Sequence, residues 1–236
     1  MNTNNKNIDE LHSRLWKHIE DEKKSWGSFV YAQKKGFYQG FEEIGLDGCR
    51  PTEKRFERYD ISEYLSDKKS ALDIGCNCGF FTIYVAKFLS NIDGVELNPY
   101  LIRIGNDTKD FLGIHNVKFV NSSFEEFEIN KEYDIIFSLA NDETIDGNTK
   151  FTFKEYVEKT VELLKSNGLL IWETVSPDTF EPKRFEYKLE ILKKEFSILK
   201  DSMVKSEYPI NVPERRFLVF KKIGDMNWHD HCGIVT

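Results

Sequence analysis

Cysteine is scarce in this sequence, with four in 236 residues. Cys76 and Cys78 stand one residue apart, too close to pair easily, and Cys49 and Cys232 complete no second ligand pair. Neither a disulfide framework nor a zinc knuckle is expected, and no metal is assigned. Six prolines exclude a collagen-like or Pro-rich chain. The basic residues form no patch: 33 Lys+Arg are interspersed with 40 Asp+Glu, for a net charge of -7. A nucleic-acid binder should cluster its cations, so nucleic acid is not the favoured partner. Long apolar runs are also missing. The most apolar stretch, Ala71 to Leu89, is broken by Asp73, Asn77 and Lys87, so no membrane span is expected. The opening residues, MNTNNKNIDELHSRL, are too polar for a secretory signal, and the expectation is a reduced cytoplasmic protein.

What is present is enough apolar material for a sizeable core. Hydrophobic residues make up 40% of the chain, which contains 19 Phe, and this excludes intrinsic disorder. At roughly 150 residues per domain, the length suits one elaborated domain. In the first part of the chain, Leu11, Leu15 and Ile19 share a helical face. Trp26, Phe29, Tyr31, Phe37, Tyr38 and Phe41 follow among glycines, which predicts an irregular segment able to cover a pocket. Pro51 then opens a further helix with Phe56, Tyr59, Ile61 and Leu65 inward. Residues 1–66 are read as an N-terminal helical cap or lid and 67–236 as the core.

From Ser70 the pattern changes to short apolar runs alternating with amphipathic segments. Strands are predicted at Ala71–Ile74, Ile92–Leu97, Val117–Val120, Tyr133–Leu139 and Leu169–Thr174. Helices are predicted at Phe80–Leu89, Pro99–Leu112 and Lys154–Lys165. Such alternation specifies a parallel sheet covered on both faces. A charged helix, Pro182–Phe196, precedes two late strands, Ser197–Lys205 and Arg215–Lys222, which suit an antiparallel edge hairpin. The fold expected is a Rossmann-like three-layer α/β sandwich with a seven-stranded, mostly parallel sheet.

The sharpest local signal is Ala71-Leu-Asp73-Ile-Gly75-Cys76-Asn77-Cys-Gly79-Phe80. A buried strand enters a glycine turn and a helix begins at once. Glycine lets the backbone approach a ligand closely, and a helix N-terminus offers unpaired N–H groups. Glu96 ends the next strand in Asp93-Gly-Val-Glu96-Leu97-Asn98-Pro99. An acid about 20 residues beyond the loop is placed to accept two ribose hydroxyls. A dinucleotide loop, G-x-G-x-x-G, would need glycine at positions 77 and 80, where Asn77 and Phe80 stand.

The loop resembles motif I of the class I S-adenosylmethionine (SAM) methyltransferases, with Asp73, Gly75 and Gly79 matching and Asn77 in place of the middle glycine. The resemblance extends over Ser70–Thr174. Phe119-Val-Asn-Ser-Ser123-Phe124 stands where that family contacts adenine. Tyr133-Asp134-Ile-Ile-Phe-Ser138 resembles the strand leading to the catalytic loop, and Ser166-Asn-Gly168-Leu-Leu-Ile resembles the turn and strand that follow. The resemblance implies that Asp73 orients the glycine loop and the amino group of the methionine moiety, and that Gly75, Cys76, Asn77, Gly79 and Phe80 lie along the cofactor. It further implies that Glu96, with Leu97 and Asn98, holds the ribose, that Ser123 and Phe124 frame the adenine, and that Ser138 borders the site. The product would be S-adenosylhomocysteine.

Four other constellations call for function. Thr52, Arg55 and Arg58 recur every third residue on one helix face after Arg50. Arg50 and Arg55 are candidates to meet the cofactor carboxylate or an anionic acceptor, against a bland reading as a solvated charged face. Asn141, Asp142 and Glu143 follow a strand end where open α/β sheets bind ligands, so Asn141 is a candidate contact and Asp142 or Glu143 a base. The alternative is an acidic loop capping the next helix. Trp228-His229-Asp230-His231-Cys232 suggests a base at His229 or metal ligands, against a disordered tail. Tyr31 and Tyr38 are the candidate acceptor contacts from the aromatic stretch. His12, His18 and His115 read as ordinary surface residues.

These readings converge on SAM-dependent methyl transfer to a small, anionic acceptor, with the oligomeric state left open. The Gly-x-Arg-x-Thr-x-x-Arg segment resembles that of bacterial methyltransferases of surface-saccharide or nucleotide-linked metabolite synthesis. A tRNA-modifying methyl or carboxymethyl transferase and a non-catalytic SAM-binding module are the alternatives.

Overall fold

The computed structural model describes residues 3–30, 37–128, 130–143 and 149–224. In chain order the elements are α1 (Thr3–Ser25), β1 (Phe37–Gly40), β2 (Gly48–Pro51), α2 (Thr52–Tyr59), β3 (Ser70–Ile74) and α3 (Phe80–Val85). Next come β4 (Asn91–Glu96), α4 (Pro99–Phe111), β5 (Val117–Asn121), β6 (Tyr133–Leu139) and α5 (Phe153–Leu163). The chain continues through β7 (Leu164–Glu173), α6 (Ser176–Phe180), α7 (Pro182–Glu195), β8 (Phe196–Lys205) and β9 (Glu214–Lys222).

Seven strands form one sheet in the order β5-β4-β3-β6-β7-β9-β8. The strands from β5 to β7 are parallel, whereas β9 runs antiparallel to β7 and β8 antiparallel to β9. The chain winds outward from β3 to β5, then returns to place β6 on the other side of β3. That reversal opens a crevice at the C-terminal ends of β3, β4 and β6.

Period-2 alternation fills both faces from the same strands. Ala71, Ile135, Ile171 and Val219 pack with Phe56, Tyr59, Phe81 and Val85 on one face. Their sequence neighbours Leu72, Ile136, Leu170 and Leu218 pack with Tyr156, Leu163 and Leu192 on the other. This two-sided burial makes the strands read as unbroken apolar runs.

The first 60 residues contain more β structure than the sequence suggests. The glycine-rich stretch is not irregular where described: β1 and β2 pair in parallel, Gln39 opposite Arg50. Leu11, Leu15 and Ile19 of α1 join Phe37, Phe41, Phe80 and Ile104 in a third apolar cluster. His12 and His18 are not idle surface groups. The His12 ring shares a hydrogen bond with the Ile44 carbonyl at 2.7 Å, and His18 Nε2 lies 3.0 Å from Asp107.

A single ring dictates three glycines. Phe119 of β5 lies so close to Gly79, Gly94 and Gly105 that a β-carbon there would stand 2.3, 2.9 and 2.8 Å from it. Gly79 also has φ +72°, a left-handed conformation that side chains resist. Gly79→Ala should therefore cost roughly 2–4 kcal/mol, combining backbone strain with overpacking. Urea denaturation measures this; a loss below ~1 kcal/mol would mean that the Phe119 ring yields.

Candidate functional site

β3 delivers the chain into a turn in which Gly75, Asn77 and Gly79 are all left-handed, at φ 62°, 56° and 72°. The turn is pinned from three sides. Cys76 N donates to the Val95 carbonyl of β4 at 3.0 Å. The Glu96 carboxylate, half-buried at the tip of the same strand, accepts from Asn77 N at 3.0 Å and Asn98 N at 2.9 Å. Gln39 of β1 donates to the Cys76 carbonyl and accepts from Phe80 N, both at 3.2 Å. Sequence reasoning missed Gln39; a polar residue amid the buried Phe37, Gly40 and Phe41 was its only signal.

Asn141, just beyond β6, closes the far side. Its Nδ2 donates to the Ile74 carbonyl, and its Oδ1 accepts from Ser138 Oγ at 2.8 Å and Tyr156 OH at 3.2 Å. A β-carbon on Gly75 would stand 2.9 Å from Asn141 Nδ2, so glycine is required here by contact as well as by φ. Asp73 lies beneath the turn and accepts from Thr82 Oγ1 at 2.6 Å.

These residues border a cleft at the C-terminal edge of the sheet. Asp73, Gly75, Cys76, Asn77, Glu96 and Leu97 line it, as do Ser123, Phe124, Tyr38 and Asn141. Burial pushes the Cys76 thiol up, so no thiolate faces the cleft at neutral pH. Four expected cofactor contacts do not border it. Gly79 is turned against Phe119, and Phe80 packs with Phe37 and Phe41 in the core. Ser138 is fully buried behind Asn141. Asn98 caps α4, accepting from Tyr100 N at 3.0 Å and donating to Glu22 of α1 at 2.7 Å.

Asp142 is not placed as a base. Its carboxylate is paired with Lys188, which also holds Asp178 at 2.9 Å, and it does not line the cleft. Glu143 pairs with Arg184. The cap of the following helix is Thr152, in a reciprocal capping box with Glu155. Tyr31 and His229, with the rest of the Trp228–Cys232 cluster, lie outside the described residues. Among the described residues no cluster of His, Cys, Asp and Glu could hold a metal ion.

The arginines also differ from a solvated helix face. Arg50 lies in β2 and is 2% exposed, and Arg55 is 4% exposed on α2; both line the cleft. Arg50 donates to both oxygens of Glu173, at 2.6 and 2.8 Å, from the end of β7. Arg55 stands 3.7 Å from the same carboxylate and donates to Tyr59 OH at 2.9 Å. Burial alone would raise the Glu173 carboxyl, but Arg50 and Arg55 hold it below its ordinary value. Arg58 turns away to Glu207.

The strand–turn–helix with its acid at the next strand tip defines a nucleotide-cofactor site of the Rossmann-like type, and comparison with known proteins resolves which kind. The family described as "Methyltransferase domain" matches residues 65–215. The malonyl-[acyl-carrier protein] O-methyltransferase of Acetivibrio thermocellus is 31% identical over 178 residues, 74% of this chain and 53% of that protein. The Halalkalibacterium halodurans enzyme of the same name is 32% identical over 48% of this chain and 42% of its own length. The chain thus spans about half the length of the relatives it matches. Among solved structures, a SAM-dependent methyltransferase from Methanosarcina mazei superposes with a TM-score of 0.58 at 15% identity, covering 70% of this chain and 97% of that one. The N-methyltransferase NodS from Bradyrhizobium japonicum, solved with S-adenosylhomocysteine, superposes at 0.55 and 15%, covering 71% and 84%. The chain belongs to this methyltransferase family, the class I SAM-dependent enzymes, and its cofactor is SAM. The cleft fits that group. It offers an acid on the strand tip, a backbone turn free of side chains at Gly75, and a buried Asn77 Oδ1 without a protein partner.

Burial raises the Asp73 carboxyl from 3.8 to about 6, although the Thr82 hydroxyl and Arg55 oppose the shift. Between those two values the folded protein holds a proton that the unfolded chain has lost. Stability from this group is therefore complete below pH ~4 and declines as pH rises through about 6, by on the order of 3 kcal/mol. Asp73→Asn should flatten this part of the curve. Urea denaturation at pH 4.5 and 7.5 checks it: the wild type should lose more stability than Asp73→Asn across the interval, and equal losses would refute the assignment.

Proposed function

We propose that the protein catalyses methyl transfer from SAM to a small, anionic acceptor in the cytoplasm. The observation that carries this reading is the cleft itself, which is lined both by the glycine turn with Glu96 and by the buried pair Arg50 and Arg55. SAM supplies the methyl group on a sulfonium and leaves as S-adenosylhomocysteine. The protein's task is to hold donor and acceptor in line and exclude water.

In this reading Glu96 accepts from the ribose hydroxyls. Ser123 and Phe124 frame the adenine, and Asp73 faces the methionine amino group. Arg55 and Arg50 lie toward the methionine carboxylate, although Glu173 already engages Arg50. Asn141 shapes the reacting end. The relatives are named malonyl-[acyl-carrier protein] O-methyltransferases, and a malonyl group is acidic, which supports an anionic acceptor. The acidic composition and the dispersed lysines weigh against tRNA, which would need many phosphate contacts.

The binding arm is tested by calorimetry, where S-adenosylhomocysteine should bind and NAD should not. A charge-assisted hydrogen bond contributes about 1.5–3 kcal/mol, so Glu96→Ala should weaken S-adenosylhomocysteine binding at least ~30-fold and Glu96→Asp less. A folded Glu96→Ala protein with unchanged affinity would remove Glu96 from the site. Steeply salt-dependent methylation of tRNA, with no small acceptor, would overturn the acceptor class.

A further inference from the structure

The apolar stripe of α1 ends on an acid. Leu11, Leu15 and Ile19 face the core, and Glu22 takes the next position on that face, where it is 0% exposed. The stripe packs with Leu101 and Ile104 of α4, and Glu22 meets the start of that helix. Its Oε1 accepts from Asn98 Nδ2 at 2.7 Å, and its Oε2 is buried without a hydrogen-bond partner among the described residues. Burial pushes the Glu22 carboxyl up, and the Asn98 hydrogen bond opposes that shift. Asn98 is therefore the donor on which this buried carboxylate depends.

That contact decides how Asn98 is oriented. With Nδ2 turned to a carboxylate, Oδ1 faces the other way, toward α4, where it accepts from Tyr100 N at 3.0 Å. The reversed amide would set an oxygen against the Glu22 carboxylate and a donor against the donors of the helix N-terminus. The cap in turn holds Asn98 in extended backbone, at φ -80° and ψ 111°. In that conformation Asn98 N donates to Glu96 Oε1 at 2.9 Å, while Asn77 N of the glycine turn donates to Oε2 at 3.0 Å. Each oxygen of the Glu96 carboxylate is thus aimed by one backbone N–H. One of those two N–H groups belongs to the residue that α1 holds.

We propose that Glu22 is a positioning residue for ribose recognition: acting through Asn98, it sets the plane of the Glu96 carboxylate that receives the two hydroxyls. The inference rests on the methyltransferase reading above. A carboxylate accepts from two neighbouring hydroxyls only when both of its oxygens face them, so a turn of its plane weakens this paired contact first. Glu22 itself does not line the cleft. It therefore acts on cofactor affinity through the ribose and leaves the contacts to the adenine and the methionine moiety in place.

Calorimetry on the full chain compares S-adenosylhomocysteine with its 2′,3′-dideoxy analogue, which lacks both ribose hydroxyls. The wild type should prefer S-adenosylhomocysteine by at least ~30-fold. Glu22→Leu continues the apolar stripe but cannot accept from Asn98. It should weaken S-adenosylhomocysteine at least ~10-fold and the analogue by no more than about twofold. Glu22→Gln still offers an oxygen to Asn98 Nδ2 and should stay within about threefold of the wild type for both ligands. Asn98→Ser keeps a helix cap but is too short to reach Glu22, so it should show the same selective loss and decides the matter if Glu22→Leu does not fold. Failure of the wild type to bind S-adenosylhomocysteine would instead undo the methyltransferase reading. With that binding intact, four results would overturn this proposal: a wild type without preference, unchanged S-adenosylhomocysteine affinity in folded Glu22→Leu or Asn98→Ser protein, equal losses for both ligands, or a loss in Glu22→Gln as large as in Glu22→Leu.

Discussion

Glu173 imposes the constraint on which the cap, the cleft and the cation cluster depend. Its carboxylate is fully buried at the C-terminal end of β7, an interior strand of the sheet. A lone carboxylate there would be prohibitively desolvated, so the N-terminal segment brings Arg50 on β2 and Arg55 on α2 to meet it. Removing either member of such a pair strands a buried charge, at a typical cost of about 3–5 kcal/mol. The ion pair therefore does more than add stability. It fixes where β2 and α2 sit on the sheet, and through the β1–β2 ladder it fixes Gln39, which grips the backbone of the glycine turn. The segment that precedes the family match is thus built into the cofactor cleft.

Much of the fold was legible because two-sided strand burial and short-range caps are local signals. Tyr133–Leu139 was read with its observed bounds, and the other core strands within one residue except β7, which starts at Leu164 rather than Leu169. The glycine turn and Glu96 were readable because backbone conformation and strand ends leave marks within a few residues. What could not be read depends on partners far along the chain. Arg50 and Glu173 are 123 positions apart, and Lys188 and Asp142 are 46 apart. No local pattern separates a buried arginine from a solvated one when glutamates intervene, as Glu53 and Glu57 do.

Gly75 and Gly79 illustrate the same limit at smaller scale. Both belong to one motif and both adopt positive φ, so the sequence assigns them one role. Their neighbours divide that role. Gly75 makes room for Asn141 at the cleft, whereas Gly79 makes room for Phe119 in the packing between β5 and α4. Asn98 and Asp142 show a related limit. A polar side chain at the C-terminal edge of a sheet can face the ligand or secure the scaffold, and here Glu22 and Lys188 claim them for the scaffold.

The charge distribution follows from this division of labour. The chain carries a net charge of -7, yet Arg50, Arg55 and Arg215 are all buried near the carboxylate of Glu173. Exposed acids are screened within ~10 Å in ordinary salt, so they do little to offset a positive cluster inside the protein. Local charge near the cleft is therefore set by these buried groups rather than by the overall balance. For methyl transfer from a sulfonium, orientation is the part of the barrier that a rigid scaffold can lower. The rigidity comes from bonds between distant segments: Gln39 to the glycine turn, Asn141 to the end of β3, and Arg50 to the end of β7.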